Sequence, residues 1–251
     1  MASNKQPPTT IWHGDGREEA LQTHILSHPH LRNNPPAILS EIDTWAAKNN
    51  HCMMTIGPSR SKLITDLIRA TRPRTMAELG GYVGYSAILF GDEVRKVGGV
   101  RYFSFEYNAE YAGIARALVE FAGLGGFVEV REGLCSVGLE GFAAEERGRH
   151  GDQEVRFDVL FVDHAEELYL SDLQICERLG LVRRGSVVVA DNVGGRSQRA
   201  QGYVEWVEEG DKYETRRVPC VLPNGEEDAI LVSTILLSDV LEGYLEELVG
   251  I

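Results

Sequence analysis

The sequence has few cysteines and no long apolar run, and both absences exclude classes of protein. Among 251 residues there are only four cysteines, none in a CxxC pair: Cys52, Cys135, Cys176 and Cys220. This spacing argues against a zinc knuckle or a dithiol redox site and favours reduced thiols. No apolar segment approaches the ~20 residues that a membrane-spanning helix requires, and the polar N-terminus lacks a signal-peptide stretch. We therefore expect a cytoplasmic protein without a membrane partner.

Positive charge is also scarce. Lys and Arg total 25 against 38 Asp and Glu, which gives a formal net charge of −13. A nucleic-acid-binding protein needs a local excess of basic residues to neutralise phosphates, so we expect no nucleic-acid partner. No internal repeat or low-complexity linker interrupts the chain, and its length suits one domain over residues 1–251.

Hydrophobic periodicity divides the chain into an N-terminal helical part and an alternating α/β part. Residues 1–15 are typical of a flexible arm, and residues 16–72 carry three helical patterns. Residues 73–237 alternate between short apolar strands and helices. Seven strands are predicted there: Met76–Leu79, Val100–Tyr107, Phe127–Glu132, Phe157–Asp163, Ser186–Asp191, Glu214–Leu222 and Ala229–Ile235.

Helices separate these strands. They are predicted over Tyr85–Val97, Glu110–Ala122, Ser136–Arg147 and Tyr169–Leu179, and a last one over 238–251. The charged segment Glu205–Glu214 indicates only a solvated helix end and a turn. This order predicts an α/β fold with a doubly wound, Rossmann-like sheet that is mostly parallel and ends in an antiparallel C-terminal strand. Ligands of such sheets bind beyond the carboxyl ends of the strands.

A glycine-rich turn, ELGGYVGYS, follows the first predicted strand. Gly80 and Gly84 let the backbone turn sharply and approach a ligand closely. Their spacing differs from the GxGxxG pattern of dinucleotide enzymes, which disfavours hydride transfer. Glu106 ends the second predicted strand, where an acid can accept hydrogen bonds from ribose hydroxyls. The pair favours nucleoside binding, although a turn and a solvated acid could each be only structural.

Two later strands end in polar pairs, Asp163-His164 and Asp191-Asn192. Asp163, Asp191 and Asn192 offer two carboxylates and one amide oxygen, a ligand set that suits Mg²⁺ and would be poor for zinc or copper. The alternative is that these side chains cap the helices that follow.

The sequence resembles the catechol O-methyltransferase family from about Gly14 to about Ile235. Five segments carry the resemblance: Met53–Gly57, Glu78–Ala87, Phe105–Ala112, Val162–Leu173 and Val188–Val193. It implies a magnesium-dependent enzyme that moves the methyl group of S-adenosylmethionine to a catechol-like or other vicinal oxygen acceptor. The partner would be a small hydroxylated, aromatic molecule, and the protein a monomer or homodimer.

The resemblance also assigns residues to roles. Asp163, Asp191 and Asn192 would hold Mg²⁺. The cofactor-binding residues would be Met54, Ile56, Glu78, Gly80, Tyr82, Ser86, Glu106, Tyr107, Cys135, Ser136, Asp163 and His164.

Around the acceptor the sequence departs from the family. Glu166 replaces the lysine that acts as base, and Ala165 replaces an aromatic gate; a tryptophan and a proline of the pocket align with Cys52 and Arg196. We predict Glu166 and His164 as the catalytic residues. A second hypothesis stays open, in which the protein binds S-adenosylmethionine and catalyses a different reaction or none.

Overall fold

Three helices precede the sheet in the computed structural model, which describes residues 13–51, 53–150, 155–194, 198–221 and 227–236. They are α1 (Arg17–Leu26), α2 (Pro35–Lys48) and α3 (Pro58–Thr71). Asn34 caps α2 by accepting a hydrogen bond from the Ala37 N–H, and the proline that follows it suits the first turn of a helix. Cys52, Arg196, most of the predicted arm and the predicted last helix lie outside the described residues.

Seven strands form one sheet. They are β1 (Thr75–Leu79), β2 (Arg101–Glu106), β3 (Val128–Glu132), β4 (Val159–Val162), β5 (Val187–Ala190), β6 (Tyr213–Val221) and β7 (Glu227–Ile235). Their order is β3-β2-β1-β4-β5-β7-β6. The first five strands are parallel, and β7 runs antiparallel to both β5 and β6. The predicted Rossmann-like α/β sheet is confirmed.

Five further helices accompany the strands: α4 (Tyr85–Lys96), α5 (Ala109–Phe121), α6 (Cys135–His150), α7 (Tyr169–Arg178) and α8 (Gln201–Glu209). Short 3₁₀ turns cover Pro29–Leu31 and Glu166–Leu168. None of the helices in the described ranges is long and apolar enough to cross a membrane.

The sheet separates two apolar layers. Side chains of α1 to α5 pack on one face and those of α6 to α8 on the other. Neighbouring strand residues alternate between the layers, as Met76 and Ala77 do on β1, because successive side chains of a strand point to opposite faces. Burial on both faces explains why the parallel strands are almost uniformly apolar.

The register brings the ends of the central strands together. Leu79 pairs with Val162, and Val162 pairs with Ala190. Gly80, Asp163 and Asp191 therefore follow three adjacent strands at one edge. Since β2 and β4 lie on opposite sides of β1, the chain order reverses at this edge, which is where such sheets bind ligands.

Candidate functional site

A cavity of about 1100 Å³ opens at this edge of the sheet. This volume is slightly above the range of about 300 to 1,000 Å³ that is typical of small-molecule sites. Most of the predicted site residues line it: Met54, Ile56, Gly80, Tyr82, Ser86, Glu106, Tyr107, Cys135, Asp163, His164, Asp191 and Asn192. Glu78, Ser136 and Glu166 are not among the described residues of the cavity wall.

The glycine-rich turn passes very close to the end of β4. Gly80 has a φ of +98°, and a Cβ added there would lie 2.2 Å from the backbone oxygen of Asp163. Gly84 has a φ of +89° and precedes α4. Both positions need glycine because L side chains rarely adopt this backbone region. The turn thus brings its backbone close to the end of β4, beside the cavity.

Glu106 is fixed by the backbone around it. Its side chain accepts hydrogen bonds from the Tyr82 N–H at 2.7 Å and the Asn108 N–H at 2.8 Å, and the residue is only 8% exposed. Burial raises the pKa of the Glu106 carboxyl, while these N–H groups oppose that rise. Each oxygen keeps acceptor capacity, so the carboxylate can receive two neighbouring hydroxyls of a ribose.

Glu78 lies beneath the turn and not on the cavity wall. Its oxygens accept hydrogen bonds from the hydroxyls of Tyr102 at 2.8 Å and Ser104 at 2.6 Å. Complete burial raises its pKa to about 7. The position supports the turn from below, and direct contact with a cofactor stays a prediction.

The predicted metal ligands lie together at the ends of β4 and β5. Asp191 is 1% exposed, and its Oδ1 accepts the Asn192 N–H at 2.9 Å. Burial and the charge of Asp191 raise the pKa of Asp163 well above its ordinary range, and burial also raises that of Asp191. Two desolvated carboxylates that repel each other are stabilised by a bound cation.

Two residues that were not predicted from the sequence complete this cluster. Asp228, at the start of β7, accepts hydrogen bonds from the Asn192 side-chain amide and the Gly194 N–H, both at 3.0 Å. Arg60 on α3 donates from Nη1 to Asp191 Oδ2 at 2.7 Å. No local pattern singles out either residue: Asp228 is the last residue of the turn-like sequence PNGEED, and Arg60 lies within a predicted helix.

The cluster fits Mg²⁺. Asp163, Asp191 and Asp228, when ionised, carry two more negative charges than Arg60 neutralises. Asp191 accepts one hydrogen bond on each oxygen, which leaves lone pairs for a cation. Because the amide nitrogen of Asn192 is committed to Asp228, its Oδ1 is the atom available as a ligand.

His164 is held between an acid and an aromatic ring. Its Nε2 lies 2.9 Å from Asp172 Oδ2, and its ring stacks on Tyr169 with centroids 5.1 Å apart. The buried Nδ1 has no hydrogen-bond partner among the described residues. Cys135 lies near the pair, but burial raises the pKa of its thiol to about 12.

A family model described as O-methyltransferase matches residues 31–209. Catechol O-methyltransferase from Bos taurus is 28% identical over 209 residues, which cover 83% of this chain and 72% of the bovine protein. Its counterpart from Mus musculus is 30% identical over 189 residues, covering 75% of this chain and 68% of the mouse protein.

A solved structure shows the same fold. The O-methyltransferase from Bacillus cereus, determined in complex with S-adenosylhomocysteine, has a TM-score of 0.64 at 24% identity and covers 78% of this chain and 90% of its own. With the family match and the two catechol O-methyltransferases, the chain belongs to the S-adenosylmethionine-dependent O-methyltransferase family.

Proposed function

We propose that this protein transfers the methyl group of S-adenosylmethionine to a hydroxyl of a catechol-like or other vicinal oxygen acceptor, and that it uses Mg²⁺. One observation carries the proposal: the glycine-rich turn with Glu106 and the oxygen-rich cluster of Asp163, Asp191 and Asn192 line the same cavity. A nucleoside donor and a metal-dependent acceptor can therefore lie side by side. Methyl transfer depends mainly on holding the two reactants in line.

The donor end of the cavity is assigned to the turn and the residues around it. Glu106 would accept hydrogen bonds from the ribose hydroxyls. Gly80 and Tyr82 would present backbone to the donor, and Tyr107 and Cys135, which line the same wall, would border the adenine. The sulfonium of S-adenosylmethionine carries the methyl group that the acceptor receives.

The acceptor end is assigned to the cluster at β4 and β5. Asp163, Asp191 and Asn192 would hold Mg²⁺, which when bound lowers the pKa of an acceptor hydroxyl. His164 and Glu166 are the candidates for receiving the hydroxyl proton. Nδ1 of His164 has no partner among the described residues, and Glu166 follows the cavity residue Ala165. The acceptor oxygen then bonds to the methyl carbon as the carbon–sulfur bond breaks, which leaves S-adenosylhomocysteine.

The test is to incubate purified protein with S-adenosylmethionine, Mg²⁺ and a panel of catechols and other vicinal diols, with and without a chelator. Mass spectrometry would measure the methylated product and S-adenosylhomocysteine. We expect product formation that the chelator abolishes. No product despite measured S-adenosylmethionine binding would overturn the catechol assignment and favour a relative that catalyses a different reaction or none.

A further inference from the structure

Arg60 is the sole arginine or lysine among the described residues that line the large cavity. Two hydrogen bonds fix its guanidinium: Nε donates to the Ile56 carbonyl and Nη1 to Asp191 Oδ2, both at 2.7 Å. The side chain is 8% exposed. A planar cation held in this way is preorganised, so it loses little conformational freedom when it meets an anion.

The second terminal nitrogen of Arg60 remains available. Nη2 makes no hydrogen bond to any residue in the described part of the chain. It is also not one of the fully buried side-chain atoms that lack a hydrogen-bond partner. Arg60 borders the large cavity and also a smaller one of about 310 Å³ between α3 and β6. A donor with solvent access at a cavity wall can bind a ligand oxygen.

The charges of the cluster indicate which kind of oxygen it would bind. In their ionised forms, Asp163, Asp191 and Asp228 exceed the charge of Arg60 by two negative charges. A divalent cation at the proposed ligands would bring this cluster to neutrality. Without Arg60 the same loaded cluster would keep one negative charge, which would repel an anionic acceptor oxygen.

We infer that Arg60 binds the acceptor oxyanion, and that the preferred acceptors carry an acidic hydroxyl, one that ionises near neutral pH. This inference rests on the proposed function. An arginine cannot accept a proton, so the hydroxyl proton leaves to solvent or to a neighbouring base. The guanidinium stabilises the anion that remains. That oxygen forms its bond to the methyl carbon, and the electron pair of the broken carbon–sulfur bond stays on sulfur.

The experiment uses 4-nitrocatechol, whose anion absorbs at longer wavelength than its neutral form. The probe is bound to the protein with Mg²⁺ and S-adenosylhomocysteine, which cannot donate a methyl group, and its absorbance is followed against pH. We expect Arg60→Met to raise the apparent pKa of the bound probe by about one unit, a tenfold loss of preference for the anion. Arg60→Lys should show a smaller rise, because it keeps the charge but loses the planar fork.

The matched control is Arg116→Met. Arg116 bonds to Glu132 on an exposed face of α5, so its loss should leave the pKa of the bound probe unchanged. Arg60→Met leaves Asp191 buried without its partner, which can prevent folding. Arg60→Gln is therefore measured in parallel, since its amide can still donate to Asp191.

Two results would overturn the inference. One is a folded Arg60→Met or Arg60→Gln variant that binds S-adenosylhomocysteine and shows the wild-type probe pKa. The other is wild-type protein that methylates catechols but does not bind the nitrocatechol anion. Failure of the proposed function is distinguishable, because the same wild-type preparation would then methylate no acceptor in the panel.

Discussion

At the scale of single residues, the carboxyl of Glu78 beneath the turn makes the stability of the fold depend on pH. Its folded-state pKa of about 7 lies above the ordinary 4.5, so the folded protein keeps a proton that the unfolded chain releases between these values. Unfolding therefore becomes easier as pH rises through this window. At ~1.36 kcal/mol per pKa unit, the free energy of unfolding decreases by roughly 3 kcal/mol across this window.

We predict that Glu78→Gln removes this dependence. The amide stays neutral, so the free energy of unfolding of the variant relative to wild type should rise by roughly 2 kcal/mol between about pH 5 and about pH 8. Urea denaturation at both pH values measures it. Glu132→Gln, at the exposed end of β3, is the control. A Glu78→Gln difference that stays constant with pH would show that the carboxyl does not titrate in this range.

Asp228 is predicted to act on the metal through Asn192. Removing the Asp228 carboxylate takes away the partner of the Asn192 amide, whose oxygen must point toward the metal site. The backbone of Asn192 also has an unfavourable φ of +56°. Loss of a hydrogen-bond partner that orients a ligand costs roughly 10- to 100-fold in metal affinity. We expect that loss in Asp228→Ala, with Mn²⁺ binding followed by electron paramagnetic resonance.

Glu227→Gln provides the matched control for Asp228. It removes a negative charge from the neighbouring, exposed position of β7 without touching Asn192. If both variants lose the same Mn²⁺ affinity, the effect of Asp228 is one of overall charge and its orienting role is wrong.

Single residues of the site could be predicted from the sequence where they directly follow the end of a recognisable strand. Gly80, Asp163 and Asp191 each come directly after an apolar run, so their meeting at one edge followed from parallel strands. Arg60 and Asp228 were missed because their partners are distant along the chain. Arg60 contacts a residue 131 positions away and Asp228 one 36 positions away, and no local periodicity encodes such contacts.

At the scale of elements, the turn between β1 and α4 depends on Gly80. Gly80→Ala would combine an unfavourable φ with a Cβ that overlaps the Asp163 backbone oxygen. We predict a loss of at least about 2 kcal/mol of stability and weaker S-adenosylmethionine binding. Gly113→Ala on α5, where nothing lies within 4 Å of the added Cβ, should instead stabilise by roughly 0.5 to 1 kcal/mol. Similar effects of the two changes in thermal unfolding would contradict this.

The helix α8 shows where element prediction from the sequence was incomplete. The charges of Glu205–Glu214 indicated a solvated helix end and a turn, and that segment contains the last residues of α8 and the start of β6. Tyr203 and Val207, four positions apart, bury one side of α8 against the sheet. Two apolar residues in a charged run give a weak periodic signal, so the helix could not be delimited from its sequence.

At the scale of the whole molecule, the alternation of strands and helices predicted a parallel sheet but not its order. Strand order depends on which face each connecting helix crosses, and that choice follows from packing between distant elements. The position of the cavity could still be predicted, because every parallel strand ends at the same edge. Its volume of about 1100 Å³ and the cation of Arg60 became evident only from the assembled fold.

The central claim is that one cavity holds a nucleoside donor and a metal-bound acceptor at separable ends. Asn192→Gly removes one proposed ligand and relieves its left-handed backbone. The most direct measurement is methyl transfer against Mg²⁺ concentration, with S-adenosylmethionine binding measured by calorimetry. We predict that Asn192→Gly binds S-adenosylmethionine as wild type does, loses at least about tenfold in transfer at low Mg²⁺, and recovers at high Mg²⁺. Transfer equal to wild type at every Mg²⁺ concentration, or wild-type transfer that survives chelation, would contradict the account.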